Sequence, residues 1–273
     1  MSWRGAWVDG SETARVCLGK TISGRFAPGV EAAEYRRMAE VEDEMWFYRA
    51  LHGHIERALA SGCGDTPAEL LDAGCGTGGL IRRLERTRRA WRWTGVDVEP
   101  LACALARERC GAYIMPASVT ELPVPDGVFD AVVSADVLYH LADDAAALRE
   151  LYRVLRPGGT LIVNVPAHRW LWSYHDVAVH GQRRYSRRDL RTKLTAAGFA
   201  SVRLTHWNTL PLPLIVARRK LWPPPASGSD VRNYPRWVEA GFRAAMRIER
   251  SWLRAGGTFP VGCSLFGTAV RPE

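Results

Sequence analysis

The sequence predicts an α/β fold built on a doubly wound parallel sheet. Three observations carry this reading. Short apolar runs alternate with amphipathic stretches through the middle of the chain, a pattern that implies parallel strands joined by right-handed helical crossovers. The run FDAVVSAD, residues 129–136, is apolar through its centre, as in a strand buried on both faces. The stretch LLDAGCGTGGL, residues 70–80, reads as a strand, a glycine turn and the start of a helix. With 273 residues, 47% hydrophobic and 24% charged, the chain is long enough for one large core with insertions.

Residues 1–29 are turn-rich and weakly patterned, and read as a loose arm or lid. Met38, Val41, Met45, Tyr48 and Ile55 recur at helical spacing, so 31–60 is expected to be helical with a break near Gly53. The expected division is therefore an N-terminal arm and helical lid over 1–60 and the main domain over 61–273. Strands are expected at 69–73, 91–97, 112–116 and 129–136. Helices are expected between them, to Arg88, over 100–110 and over 144–155. Residues 156–159, RPGG, read as a turn before a fifth strand, TLIVNVP.

After that strand the chain changes character. Residues 167–185 are dense in His, Trp, Tyr and Arg. Trp170, Trp172 and Tyr174 alternate and would line one face of a strand extension. A helix over 186–197 stops at Gly198, and SVRLTHW is the sixth strand. Residues 208–257 read as an insertion with a proline cluster, the turn ASGSD, an amphipathic stretch at 210–222 and a basic helix near 235–254. CSLFGTAV is the last strand.

Around the glycine turn, Gly74-x-Gly76-x-x-Gly79 alone also fits a dinucleotide fingerprint. Asp72 lies two residues before Gly74, where a carboxylate can receive an ammonium group. Asp97 ends the second strand at the spacing of an acid that binds ribose hydroxyls. Two acids suit a zwitterionic, cationic nucleoside better than a phosphate.

With these blocks in order over 68–166, the chain resembles the class I S-adenosylmethionine-dependent methyltransferases. DAGCGTGG matches the family's glycine loop, and GVDVEP its ribose acid. MPASVTELPVPDGVFDAVVSADVLYHL and LYRVLRPGGTLIVNVP match its third-to-fifth-strand segments. The resemblance implies a Rossmann-like seven-stranded sheet, mostly parallel with an antiparallel last strand, an N-terminal helical lid and a helical insertion between strands six and seven. It implies S-adenosylmethionine held by Asp72, Gly74, Gly76, Asp97, Val98, Ser118, Val119 and Ala135. Ser118 stands where the family often has an Asp contacting the adenine amino group. MAEVEDEMWFYRA resembles an N-terminal segment of a bacterial subgroup that closes over the cofactor. Trp46, Tyr48 and Arg49 match it, Arg49 as a partner for the methionine carboxylate, whereas Leu51 replaces a common second Arg.

Methyl transfer needs two positioned reactants and a base where the acceptor carries a proton. The base candidates are His140, His175 and His180, with Asp176 orienting a histidine. The order His180-Gly181 reverses the subgroup's usual Gly-His. Tyr139, Trp172, Tyr174 and Tyr185 are the candidate substrate contacts. No spacing of cysteine and histidine suits a metal, and the six cysteines read as free thiols in a reducing compartment.

The chain carries a net charge of +8, and residues 168–273 hold 18 basic and 6 acidic residues. That bias suits an anionic or lipid-linked small acceptor, a peripheral membrane face, or nucleic acid. The absence of an N/D-P-P-Y type motif after strand four argues against nucleic acid. A cyclase or sensor that binds the cofactor without transferring methyl, and a nicotinamide dehydrogenase, are the remaining alternatives. No apolar stretch is long enough to span a bilayer and the first residues lack a signal-peptide core, so a cytoplasmic protein is expected.

Overall fold

The structure, a computed structural model, describes residues 32–223, 230–232 and 234–273. The expected N-terminal arm and most of the ASGSD turn lie outside the described residues. In chain order the elements are α1 (Ala32–Val41), α2 (Trp46–Cys63), β1 (Ala68–Ala73), α3 (Gly79–Thr87), β2 (Trp91–Asp97), α4 (Pro100–Arg109), β3 (Tyr113–Pro116) and β4 (Phe129–Ala135). They continue with α5 (Asp144–Val154), β5 (Leu155–Pro166), α6 (Tyr174–Ala178), α7 (Arg187–Ala196), β6 (Ala200–Trp207), α8 (Leu212–Leu221), α9 (Arg236–Arg254) and β7 (Ser264–Val270).

The strands form one seven-stranded sheet in the order β3-β2-β1-β4-β5-β7-β6. The first five strands run parallel, and β7 lies antiparallel between β5 and β6. β1 and β4 sit at the centre and are buried almost throughout, whereas edge strand β6 exposes its first half. Their apolar runs are continuous because helices cover both faces. On one face, Leu148 and Leu151 of α5 and Leu190 and Leu194 of α7 pack into the core. On the other, Ile55 of α2, Ile81 of α3, Ala106 of α4 and Met246 of α9 do so.

The strand order reverses beside β1, with β2 on one side and β4 on the other. Ligands of such sheets bind at that reversal, beyond the carboxyl ends.

Three local expectations change. The helical break falls at Glu42–Met45, not Gly53: Met45 is extended, while Gly53 is interior to α2. The acids of the break are drawn away from the helix, Glu42 inward to Thr77 and Arg109, and Asp43 to Arg82. Residues 156–159 are looped out at the start of β5, because Phe129 pairs with Leu155 and Ala131 with Thr160. Residues 169–174 form no strand extension. A 3-10 turn, Arg169–Leu171, leads into α6, whose N-terminus is closed by a Ser173–Asp176 capping box.

Candidate functional site

The site begins where β1 ends. Gly74, Gly76 and Gly78 all take positive φ, of 95°, 51° and 79°, so this bend needs glycine. A Cβ on Gly74 would also overlap the Val137 side chain. The bend is sewn to β2: the N–H groups of Gly74 and Cys75 both donate to the Val96 carbonyl at 2.8 Å. Asp97 accepts from Gly76 N at 2.9 Å with one oxygen and from Glu99 N at 3.0 Å with the other. Each oxygen keeps a lone pair for a further donor.

Helix α1 lies over the bend. Glu42 is buried and accepts from Thr77 Oγ1 at 2.5 Å and from Arg109. Met38 packs against the place a Cβ on Gly76 would occupy.

These groups face a cavity of about 1480 Å³, larger than a single drug-sized ligand needs. Asp72, Gly74, Gly76, Asp97 and Val98 line its sheet end. Ser118 and Val119 line the same end from the loop after β3, and Ala135 from the last position of β4. Trp46 lines it from α2, stacked on Phe242 of α9 with ring centroids 4.7 Å apart. Tyr139, His140, Trp172, His175 and the exposed His180 also line it, from the segments after β4 and β5. Arg218 and Arg219 of α8 join them.

Charge in the cavity is set by burial. Burial, then the nearby Asp97 and Glu42, push the Asp72 carboxyl up to about 8. Burial also raises Asp97, against the pull of the N–H groups it accepts from. His140 and His175 are each pushed down to about 4, chiefly by burial, so both rings are neutral at neutral pH.

Several expected site residues stand elsewhere. Arg49 is absent from the cavity wall; its guanidinium is exposed and pairs with Glu44 at 3.4 Å. Tyr174 is also off the wall, with its hydroxyl donating to Asp230 at 2.7 Å. Tyr185 is fully buried below the site and donates to Asp144 at 2.7 Å and to the Leu138 carbonyl at 3.1 Å. Asp176 does not orient a histidine. It is locked in a buried bidentate pair with Arg184, at 2.7 and 3.0 Å, while it also caps α6. His175 instead accepts from Asp230 N through Nδ1 at 3.2 Å.

Asp136 and Asn208 are among the lining residues that escaped the sequence reading. Asp136 follows β4 with a positive φ of 54° and accepts from Asn164 Nδ2 at 2.9 Å. Asn164 in turn accepts from the Trp207 indole at 2.8 Å. Burial pushes the Asp136 carboxyl up to about 7, opposed by Asn164 and Arg184. Asn208 follows β6 with a φ of 58°. It is buried on the cavity wall, and its side-chain oxygen has no hydrogen-bond partner among the described residues. Their only sequence signal was position just beyond a strand's carboxyl end.

Comparison with known proteins gives this geometry a family. Residues 71–163 match a methyltransferase domain family. The chain is 39% identical over 113 residues to the malonyl-[acyl-carrier protein] O-methyltransferase of Serratia marcescens, covering 41% of this chain and 44% of that protein. It is 34% identical over 166 residues to a Mycobacterium tuberculosis protein described as a probable S-adenosylmethionine-dependent methyltransferase, covering 59% of this chain and 57% of that protein. The matches thus span about half the length of these curated relatives. Among solved structures, an S-adenosylmethionine-dependent methyltransferase of Thermotoga maritima superposes with a TM-score of 0.56 at 18% identity, over 88% of this chain and 95% of that one. That likeness concerns the fold. Glycine bend, flanking acids, strand order and matched sequence agree: residues 71–163 carry a methyltransferase domain, and the chain resembles S-adenosylmethionine-dependent methyltransferases, whose cofactor is S-adenosylmethionine.

Proposed function

We propose that this chain transfers a methyl group from S-adenosylmethionine to a nucleophile of a small-molecule acceptor. The observation that carries this is the pair of buried acids, Asp72 and Asp97, on either side of a positive-φ glycine bend facing one large cavity. These residues fit the cofactor's chemistry. Asp72 supplies a carboxylate for an ammonium group. Asp97 supplies lone pairs for ribose hydroxyls beside the two N–H groups it already holds. Val98, Ser118, Val119 and Ala135 supply a mostly apolar slot for the base; the Ser118 hydroxyl is also engaged with Thr120 at 2.7 Å. Bound there, S-adenosylmethionine supplies a methyl group on an already activated carbon.

The protein's part is then to position, to exclude water and to take a proton. Trp46, Met38 and Tyr35 roof the sheet end as a lid. Trp172, Tyr139 and His180 form the acceptor end, and the nearby Arg218 supports an anionic acceptor. His175 uses Nδ1 to accept from Asp230 N, so its neutral ring carries the proton on Nε2 and acts as a donor. Asp136 is our candidate proton acceptor, since it faces the cavity, is held by Asn164 and titrates close to neutrality. His140, neutral and adjacent, is the alternative.

The test is release of S-adenosylhomocysteine from S-adenosylmethionine in the presence of a panel of small acceptors, neutral, anionic and lipid-linked. Turnover with one class is expected. A chain that ignores S-adenosylmethionine while binding a nicotinamide dinucleotide at the glycine bend would overturn the reading.

A further inference from the structure

Helix α9 is amphipathic twice over. Its inner face holds Glu239, Phe242, Met246, Glu249 and Leu253 against the body of the protein. Glu239 accepts from Trp46 N at 2.9 Å, and Glu249 accepts from Thr209 N and Leu210 N at 2.7 and 2.6 Å. The helix needs nothing more to stay in place. Yet its opposite face is apolar as well. Trp237, Gly241, Ala244, Ile248 and Trp252 follow one another at i, i+4, i+7, i+11 and i+15, a single stripe on a helix of 3.6 residues per turn. Trp237 is 78% exposed, Ile248 64% and Trp252 53%. Along one flank of that stripe runs a row of arginines: Arg236, Arg243, Arg247, Arg250 and Arg254. The only acids of α9, Glu239 and Glu249, both lie on the inner face.

We propose that α9 is an in-plane membrane anchor that seats this stripe in the headgroup–acyl boundary of an anionic bilayer. Tryptophan favours that boundary, and one stands at each end of a stripe about 22 Å long. The arginine row lies where anionic headgroups would meet it. A second copy of the chain would bring another arginine-bearing, acid-free face of this helix against the first. Nucleic acid would satisfy the arginines and leave the aliphatic centre of the stripe in water. Among the described residues no helix is long and apolar enough to cross a membrane, so the anchor lies on the surface. The same insertion carries Leu214, Leu221 and Trp222, exposed by 65%, 76% and 60%. Leu214 lines the cavity together with Val238 and Phe242 of α9, so an anchored helix would hold the acceptor end beside the lipid.

This inference stands apart from the methyl-transfer reading, because binding is measured without cofactor or acceptor. The full chain is sedimented with vesicles of phosphatidylcholine alone and of phosphatidylcholine with phosphatidylglycerol, at low and high salt. It should pellet with the anionic vesicles, be released by salt and stay in solution with neutral ones. Trp237→Ser with Ile248→Ser should cut the partition at least tenfold, and Arg247→Glu about fivefold or more. Neither change touches a cavity-lining residue, so an unchanged S-adenosylmethionine titration shows that the variants are folded. A chain that stays in solution with anionic vesicles, or a double variant that partitions like the parent, overturns the proposal. So does a lipid-free dimer dissolved by Trp237→Ser, or a DNA duplex retained with loss only on arginine substitution.

Discussion

Asp72 shows how one side chain ties ligand chemistry to pH. With its carboxyl raised to about 8 by burial and by Asp97 and Glu42, the free protein holds that proton at neutral pH. A cationic ligand favours the ionised form, so binding below pH 8 should expel a proton. Affinity for S-adenosylmethionine should therefore fall as pH drops below about 8, approaching tenfold per unit for one linked proton. Titration calorimetry in buffers of differing ionisation enthalpy reads the proton directly. Asp72→Asn should abolish the release, and a pH-independent affinity in the parent would remove Asp72 from the ammonium site. Asp97→Ala should weaken binding by about 1.5–3 kcal/mol, the cost of hydrogen bonds to a charged group; an unaltered isotherm would exclude it. Asp136→Asn should depress turnover far more than cofactor affinity, and full activity would return the proton to His140. The two flanking acids were legible because residue type, glycine spacing and strand end all coincide there. Arg49, Tyr174 and Tyr185 were misread because their partners, Glu44, Asp230 and Asp144, compete for them. No spacing rule reveals that competition.

At the scale of elements, the insertion between β6 and β7 is held by buried acids as well as by apolar packing. Glu249 is fully buried, and burial raises its carboxyl even though it accepts from the N–H groups of Thr209 and Leu210. It fastens α9 to the start of α8. Glu249→Leu keeps the apolar volume but strands two amide hydrogens, and should destabilise the protein by about 1–3 kcal/mol. Trp237→Ser, on the exposed side of the same helix, should stay within about 0.5 kcal/mol. Urea unfolding of both variants checks the contrast; equal losses would mean that the stripe packs in solution. The basic helix was readable within a residue or so, since its periodicity is local. Helix α8 was legible only as an amphipathic stretch because Pro211 and Pro213 look like breakers, yet they fall at its first turn, where proline is tolerated. The break between α1 and α2 was misplaced for the opposite reason. Gly53 looks like a stop, but the stop that forms is set by Glu42 reaching across to Thr77 and Arg109.

Across the whole molecule, the sheet and its order followed from alternation and from continuous apolar runs, which report burial on two faces directly. The acceptor end did not, because it is assembled from α2, α6, α8 and α9, distant segments with no shared period. The molecule's buried polar groups leave a signature in stability. His52 and His54 on α2 are pushed down to about 3 by burial, and His140 and His175 to about 4. All four would titrate near 6.5 once unfolded. Below that pH the unfolded chain binds more protons, so these histidines make stability fall as pH drops from about 6.5. Asp72 and Asp136 act in the opposite sense, since the folded protein holds their protons up to about 8 and 7. They make stability fall as pH rises from about 4 toward 8. Of the groups pushed furthest, the four histidines outweigh the two aspartates in the window where both act; above about 6.5 only raised carboxyls remain, with Asp97 and Glu249 acting in the same sense as the two aspartates. Stability of the ligand-free protein should thus peak near pH 6.5 and decline on both sides, more gently toward pH 8. Urea midpoints at pH 4.5, 6.5 and 8.5 measure the two limbs. Asp72→Asn should flatten the alkaline limb and steepen the acid limb, because its proton opposes the histidines there. A midpoint that climbs steadily to pH 8.5 would mean that the folded protein ionises both aspartates, and with that the charge balance assigned to the cavity would fail.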